Sequence, residues 1–327
     1  MKYTFLDKNQ KLAIIGCGYW GTIVTKTLIK LKFKNINIHD ENKKNILNLK
    51  KKYPQLRITY NIKEILEDEE IINCFLITPP SKNFDLIKKF IKYKKNIFVE
   101  KPAVTNERQL LNIKKLLKYT KIKLMIGYVY CFNNQIEKIK DIISSKTLGK
   151  ILYINFQRQN LGPIRNDVDV DYDLTSHDLS ILLDLFNKLP KLKSKRKYDF
   201  LKKKISDISN LHLEIDNTII DINNSWINPT KIRKIIIIGS KKMMLFNELD
   251  QENPIIIYNQ YAKYPDTKFF DKKFLNKKAY IYQGKTKKIR IKHTYPLENE
   301  IKHFFDSKKP KTNIDFGLKI LNFLKRI

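Results

Sequence analysis

Short apolar runs alternate with amphipathic stretches over the first 128 residues, and the alternation predicts strand and helix in turn. Leu12–Ile15 read as a strand, and Ile23, Val24, Thr27, Leu28 and Leu31 recur at helical spacing. "INIHD" restores a strand that ends on Asp40. A Lys/Asn-rich helix over 42–52 leads to a short strand at "RITY", a helix over 62–68 and the strand "IINCFLIT" at 71–78, closed by Pro79-Pro80. A helix through "FDLIKKFIKY", the strand "NIFVE" at 96–100, a helix near 106–119 and the strand "KLMIGY" complete the series. Strands separated by helices of this length make a doubly wound parallel sheet.

The rhythm changes after residue 150. "KILYINFQRQ", "ISNLHLEI", "NTIIDINNSWI", "RKIIIIGS", "KMMLFNEL" and "PIIIYN" are strand-like and follow one another without long helices. They predict one mainly antiparallel, open-faced sheet, with a helix over 174–186 lying on it. The free face suits a substrate or a second copy of the chain, and a homo-oligomer through this sheet is expected. "DSKKPKT" (306–312) reads as a solvated loop, and the final "NIDFGLKILNFLKRI" is helical by its spacing and is expected to pack back on the first domain. The expected architecture is therefore α/β, with a doubly wound domain over 1–128 and an α+β domain over 129–327.

Composition narrows the class. With 42% hydrophobic and 30% charged residues in 327, the chain reads as a soluble globular protein, and no apolar run approaches the roughly 20 residues that span a bilayer. The opening "MKYTFLDKNQKLAIIG" lacks the unbroken apolar stretch of a signal peptide, so a cytoplasmic protein is expected. Cys17, Cys74 and Cys131 form no C-x-x-C, which predicts buried thiols and neither disulfides nor a metal site. The net charge of +32 raises the question of nucleic acid. Lysine is spread along the whole chain and heavily outnumbers arginine, the side chain suited to bidentate phosphate and base contacts. No specific nucleic-acid role is expected; the charge instead favours an anionic small substrate.

Gly16, Gly18 and Gly21 fit G-x-G-x-x-G between the first strand and the first helix, and Asp40 follows 19 residues after Gly21. This is the Rossmann arrangement. The first glycine allows the tight turn, the second lets pyrophosphate approach the backbone, and the third lets helix and strand pack closely. Tyr19 and Trp20 lie within the turn, where the helix N-terminus offers amide donors to phosphate. Asp40 is placed to bond both ribose hydroxyls and to repel a 2′-phosphate, which favours NAD over NADP, with His39 and Lys43 nearby as the opposing signal. Strand-end positions on the ligand side of such a sheet are Thr78, Pro79, Glu100 and Lys101.

"DYDLTSHDLSILLDLF" (171–186) sets Asp173 and His177 four apart, and a helix would place them with Ser180 opposite its apolar side. By itself the pattern favours a solvated histidine and a helix-terminal acid stabilised by the helix dipole.

"ITPPS", "VEKPAVT" and the Asp-x-x-x-His helix together resemble the glucose–fructose oxidoreductase, inositol dehydrogenase and MocA (Gfo/Idh/MocA) family over nearly the whole chain. The resemblance implies a sugar or sugar-nucleotide oxidoreductase. Lys101 would contact the substrate hydroxyl near the nicotinamide, the Lys101–Pro102 bond would be cis, and Asp173 and His177 would belong to the active site. His177 then suits the proton acceptor and Asp173 its orienting acid, with Lys101 steadying charge on oxygen. Asn83 stands where family members commonly have histidine. The run "NDVDVDYDLTSHD", together with "NLGPIRNDVD" and "SWINPTKIRKIIIIG", resembles a subset associated with sugar-nucleotide and surface-polysaccharide genes, which points to C3 oxidation of a UDP-N-acetylhexosamine. Arg158, Arg165, Tyr130 and Asn133 are the substrate-binding candidates, an arginine gripping a diphosphate or pairing with the local acids. The alternatives are a keto-sugar or imine reductase and a regulator that binds dinucleotide or sugar without turnover.

Overall fold

The computed structural model describes residues 7–166, 168–263, 280–292 and 294–327; the beginning of the segment read above for a signal peptide lies outside them. The chain divides into two compact units, Met1–Asn133 with Thr294–Arg326 and Asn134–His293 with Ile327.

In the first unit six parallel strands run in the order β3-β2-β1-β4-β5-β6: β1 (Lys11–Ile15), β2 (Asn35–His39), β3 (Arg57–Ile58), β4 (Asn73–Leu76), β5 (Asn96–Glu100) and β6 (Leu124–Gly127). The crossover helices are α1 (Tyr19–Lys30), α2 (Lys43–Lys52), α3 (Ile62–Glu67), α4 (Pro80–Lys92) and α5 (Glu107–Leu117). β1 pairs with both β2 and β4, so the strand order reverses beside β1, where doubly wound sheets bind ligands. β1 and β4 are apolar on both faces because helices cover both sides. Asn42, Asn61 and Asn106 cap α2, α3 and α5 by accepting from the backbone N–H two residues on, which fixes where each helix starts.

The second unit begins with α6 (Asn134–Ser144) and carries an eight-stranded sheet, order β14-β13-β12-β11-β7-β10-β9-β8. The strands are β7 (Ile151–Leu161), β8 (Lys191–Tyr198), β9 (Ile208–Ile215), β10 (Thr218–Ser225), β11 (Ile227–Gly239), β12 (Met243–Asn247), β13 (Ile255–Lys263) and β14 (Tyr280–Ile289). The central pair β7–β10 is parallel and the other pairings are antiparallel. β9 alternates between buried and part-exposed positions throughout, and β10 does so up to Asn224, the mark of a sheet covered on one face.

Three sequence readings are corrected here. β8 and β14, the two edges, carry "KLKSKRKY" and "YIYQGKTKKI" and lack apolar alternation. Edge strands need no second buried neighbour, and lysine there discourages pairing with another chain, so the polar pattern conceals them. The helix expected over 174–186 starts instead as a π-helical turn, Asp171–Thr175, and becomes α7 only at Ser176–Phe186. The loop 306–312, expected to be solvated, buries Pro310 and Thr312, and the Thr312 carbonyl accepts from Ile126 N at 2.8 Å, which holds the loop beside β6.

α8 (Pro296–Asp306) and α9 (Ile314–Leu324) return to the first unit. α9 lies on α5 through Lys114–Asp315 at 2.6 Å and Lys325–Glu107 at 2.7 Å. α8 inserts Phe304 edge-on between Phe75 of β4 and Phe98 of β5, with ring centroids 5.4 and 5.9 Å away. Among the described residues no helix is long and apolar enough to cross a membrane, and all three cysteines are buried thiols.

Phe304 is fully buried where this helix meets the sheet. Phe304→Ala is expected to cost about 3–5 kcal/mol, read as a lower midpoint in denaturant unfolding; a loss below about 1 kcal/mol would show that α8 is not anchored there.

Candidate active site

In the first unit the glycine turn leaves β1 with Gly16 at φ +101°, where a Cβ would overlap the Ile77 carbonyl. A Cβ on Gly21 would overlap the Gly16 carbonyl, so α1 can approach the strand only with glycine at that position. Gly18 is different, because a Cβ there would meet nothing within 4 Å. Its absent side chain leaves open space at the N-terminus of α1, where amide donors and the helix dipole suit a phosphate. Tyr19 is exposed there.

Asp40, just past β2, accepts the Cys17 N–H at 2.7 Å and the Asn42 N–H at 2.8 Å. The same oxygen that takes Cys17 also accepts the Asn45 amide at 3.3 Å, so the oxygen that takes Asn42 is the one with a lone pair left for a ribose hydroxyl. His39 is buried and its Nδ1 lies 3.0 Å from the Thr59 carbonyl, which takes it away from a ribose phosphate. At the end of β4, Thr78 donates to Asn83 at 2.5 Å, and Pro79 and Pro80 start α4. Asn83, the residue standing in the family's histidine position, is fully buried and supports the Thr78 turn from beneath.

Glu100 ends β5 and is bound to the glycine turn: the Trp20 indole N–H donates to its Oε1 at 2.6 Å, and Lys101 N–H to its Oε2 at 3.2 Å. Gly127, its register partner on β6, leaves room for the carboxyl; a Cβ there would stand 2.9 Å from Oε1. Burial pushes Glu100 up to about 7, against the Trp20 hydrogen bond and the Lys101 charge. The Lys101–Pro102 bond is cis. Tyr130 lies in the 3-10 turn Val129–Phe132 after β6, and Asn133, which follows it, is buried.

In the second unit the acids around Asp173 and His177 are engaged within the protein. Asp173 accepts the Trp226 indole N–H at 3.0 Å, and Arg165 stands 3.9 Å from its other oxygen. Lys197 reaches Asp169 at 2.7 Å and Asp171 at 2.8 Å, and Lys140 reaches Asp184 at 2.9 Å. Asp178 takes the Arg158 Nε–H and the Asn224 amide, both at 3.0 Å. Asn224 also donates to Thr175, which donates to Asp171 at 2.6 Å across the π turn. Burial pushes Asp178 above its ordinary value while Arg158 and Asn224 pull it down. Arg158 is 5% exposed and its Nε serves a buried ion pair, the second of the two roles the sequence left open to it. Ser180, expected on the polar side with His177, is buried with its hydroxyl donating to the His177 carbonyl at 2.6 Å. His177 itself is half-buried.

Residues 10–128 match the model of an oxidoreductase family with an NAD-binding Rossmann fold, GFO_IDH_MocA. This dinucleotide-binding part belongs to the Gfo/Idh/MocA family. Over 180 residues the chain is 23% identical to the myo-inositol 2-dehydrogenase of Thermotoga maritima, covering 52% of this chain and 53% of that protein. The Bacillus subtilis scyllo-inositol 2-dehydrogenase (NAD(+)) is 29% identical over 123 residues, 36% of either chain. The chain spans about half the length of the curated relatives it matches. Among solved structures, the UDP-N-acetylglucosamine 3-dehydrogenase GnnA of Acidithiobacillus ferrooxidans superposes with TM-score 0.74 at 16% identity, covering 97% of this chain and 96% of that one. GenD2 from gentamicin A biosynthesis, in complex with NAD, gives 0.77 at 14% identity, covering 99% and 95%. The fold of these two structures therefore extends over both units.

Three features of this chain were not legible in its sequence. They are the Trp20–Glu100 link, the Trp226–Asp173 bond and the Arg158–Asp178–Asn224 group. Each joins residues more than 19 positions apart, and only the indole N–H, which needs a partner when buried, hinted at the first two.

Asp178→Ala removes the carboxylate facing a buried guanidinium and is expected to cost about 3–5 kcal/mol, whereas Asp178→Leu combined with Arg158→Met recovers most of that. Equal stability of the single variant and wild type in urea would contradict the structural role given to this pair.

Proposed function

We propose that the protein is an NAD-dependent oxidoreductase acting on a secondary alcohol of a sugar or sugar nucleotide. The observation that carries this is one strand-end constellation in the first unit: the open Gly18 turn at β1, Asp40 at β2, and Glu100 followed by Lys101 at β5. Nicotinamide, when bound, takes the hydride from carbon. The protein must hold the alcohol and move its hydroxyl proton. The Lys101 ammonium suits the stabilisation of negative charge developing on that oxygen. His177 suits the proton acceptor, since imidazole titrates near pH ~6.5. Asp173, held by Trp226 and Arg165, is an orienting acid with a fixed carboxylate.

Three observations favour NAD over NADP. Asp40 would repel a 2′-phosphate, His39 is turned inward to Thr59, and Lys82 is paired with Glu41. The inositol dehydrogenases and the GnnA enzyme among the similar proteins support a polyol or UDP-sugar substrate, with C3 oxidation of a UDP-N-acetylhexosamine as the specific case. Run in reverse, the same groups reduce a keto-sugar. A second copy would be received on the open sheet face, where Ile236, Ile238, Met243 and Leu245 are part-exposed. A cytoplasmic location belongs to the same reading.

NADH formation is the test, with NAD or NADP and a panel of UDP-sugars, inositols and free sugars. Turnover is expected with NAD, and Lys101→Ala and His177→Ala should each lower it about 100- to 10,000-fold while cofactor binding survives. NAD binding without turnover in either direction would favour a regulator. Full activity of both variants would remove the proposed roles.

A further inference from the structure

Glu300 lies on α8 with no exposure to solvent, and neither of its carboxyl oxygens has a hydrogen-bond partner among the described residues. Leu297, Ile301 and Phe304 of the same helix are core residues, and Trp20, Val129 and Phe132 pack against that cluster. An ionised carboxylate in such surroundings is costly, so the group retains its proton. The charge that acts on it is that of Glu100. Glu100 accepts N–H bonds from Trp20 and Lys101, which favour its charged form. One carboxyl has donors and the other has none, so a shared proton resides on Glu300.

We propose that Glu300 is a positioning residue: it holds the proton of the Glu100–Glu300 pair, and so keeps Glu100 anchored between Trp20 of the glycine turn and the backbone of Lys101. The inference rests on the reading above that the β5 end serves a bound dinucleotide. Burial and then the Glu100 charge raise Glu300 well above the carboxylate range, and burial raises Glu100 to about 7. Lys101, following β5, is the cation acting on Glu100. From α1, Lys30 is turned to Glu298 at 2.6 Å. On α8 itself, His303 packs on the Phe132 ring and feels Lys311 and Lys123.

The sign follows from linkage. A carboxyl whose folded value is raised keeps, in the folded state, a proton that the unfolded chain has released. Stability from this group is full below the ordinary carboxylate range and declines with rising pH until Glu300 ionises. Ionisation would then set two buried negative charges against each other and release Glu100 from Trp20. A glutamine at 300 stays neutral and removes the Glu300 part of this dependence, leaving that of Glu100.

The experiment compares full-length wild type with Glu300→Gln from about pH 6 to about pH 9, by thermal melting and by NADH fluorescence titration. Wild type is expected to lose about tenfold or more in NADH affinity toward the alkaline end, with Tm falling in parallel, while Glu300→Gln keeps only the shallower decline that Glu100 alone produces. Identical slopes in the two proteins would overturn the proposal. Should the variant not fold, infrared difference spectra of wild type over the same range decide the matter. Loss of a protonated-carboxyl band on raising the pH is expected, and absence of such a band at neutral pH overturns the proposal. If wild type binds no NADH at any pH, the dinucleotide reading fails, and the melting and infrared results judge Glu300 on their own.

Discussion

The close approach of Gly21 to the Gly16 carbonyl is the contact on which the rest of the first unit depends. No side chain fits between them, so the first turn of α1 is held against the end of β1. That placement brings the Cys17 N–H within 2.7 Å of Asp40 and the Trp20 indole within 2.6 Å of Glu100. The ends of β1, β2 and β5 are thereby tied through one turn. A site built this way is organised before its ligand arrives, which is what cofactor alignment requires.

The second unit solves a different problem. Its central helix is rich in leucine and must be buried, yet it also carries acids at 178 and 184 and follows others at 169, 171 and 173. Each of those acids meets a cation or an N–H from the surrounding sheet, a loop or α6: Lys197, Trp226, Arg158, Asn224 or Lys140. The π turn ahead of α7 adds a residue to the helical ladder, the kind of irregularity often found at functional sites. The Trp226 indole fixes the orientation of the Asp173 carboxylate.

The parallel sheet was legible in the chain because both faces of β1, β4 and β5 are covered, which writes uninterrupted apolar runs, and because glycine and Asp40 occur at spacings set by backbone sterics. The lysine-rich edges β8 and β14 were not legible, since an edge strand owes little to burial. Nor was the role of Arg158. A basic residue near acids reads equally as a ligand clamp or an internal partner, and only burial separates the two. Glu300 was invisible for a related reason. Its spacing from Leu297, Ile301 and Phe304 puts it on the buried stripe of "PLENEIKHFFD", yet an acid is read as a surface residue whatever its place in the period.

Gly18 offers the most direct check on the central claim that this turn exists to receive a dinucleotide. Unlike Gly16 and Gly21 it has space for a methyl group, so Gly18→Ala should change stability by less than about 1 kcal/mol while placing a methyl group where phosphate would lie. Calorimetric titration of NADH into wild type and Gly18→Ala, with melting curves for both, separates the two effects. The account predicts nearly equal Tm values and an affinity at least about tenfold weaker in the variant. Equal affinities would contradict it.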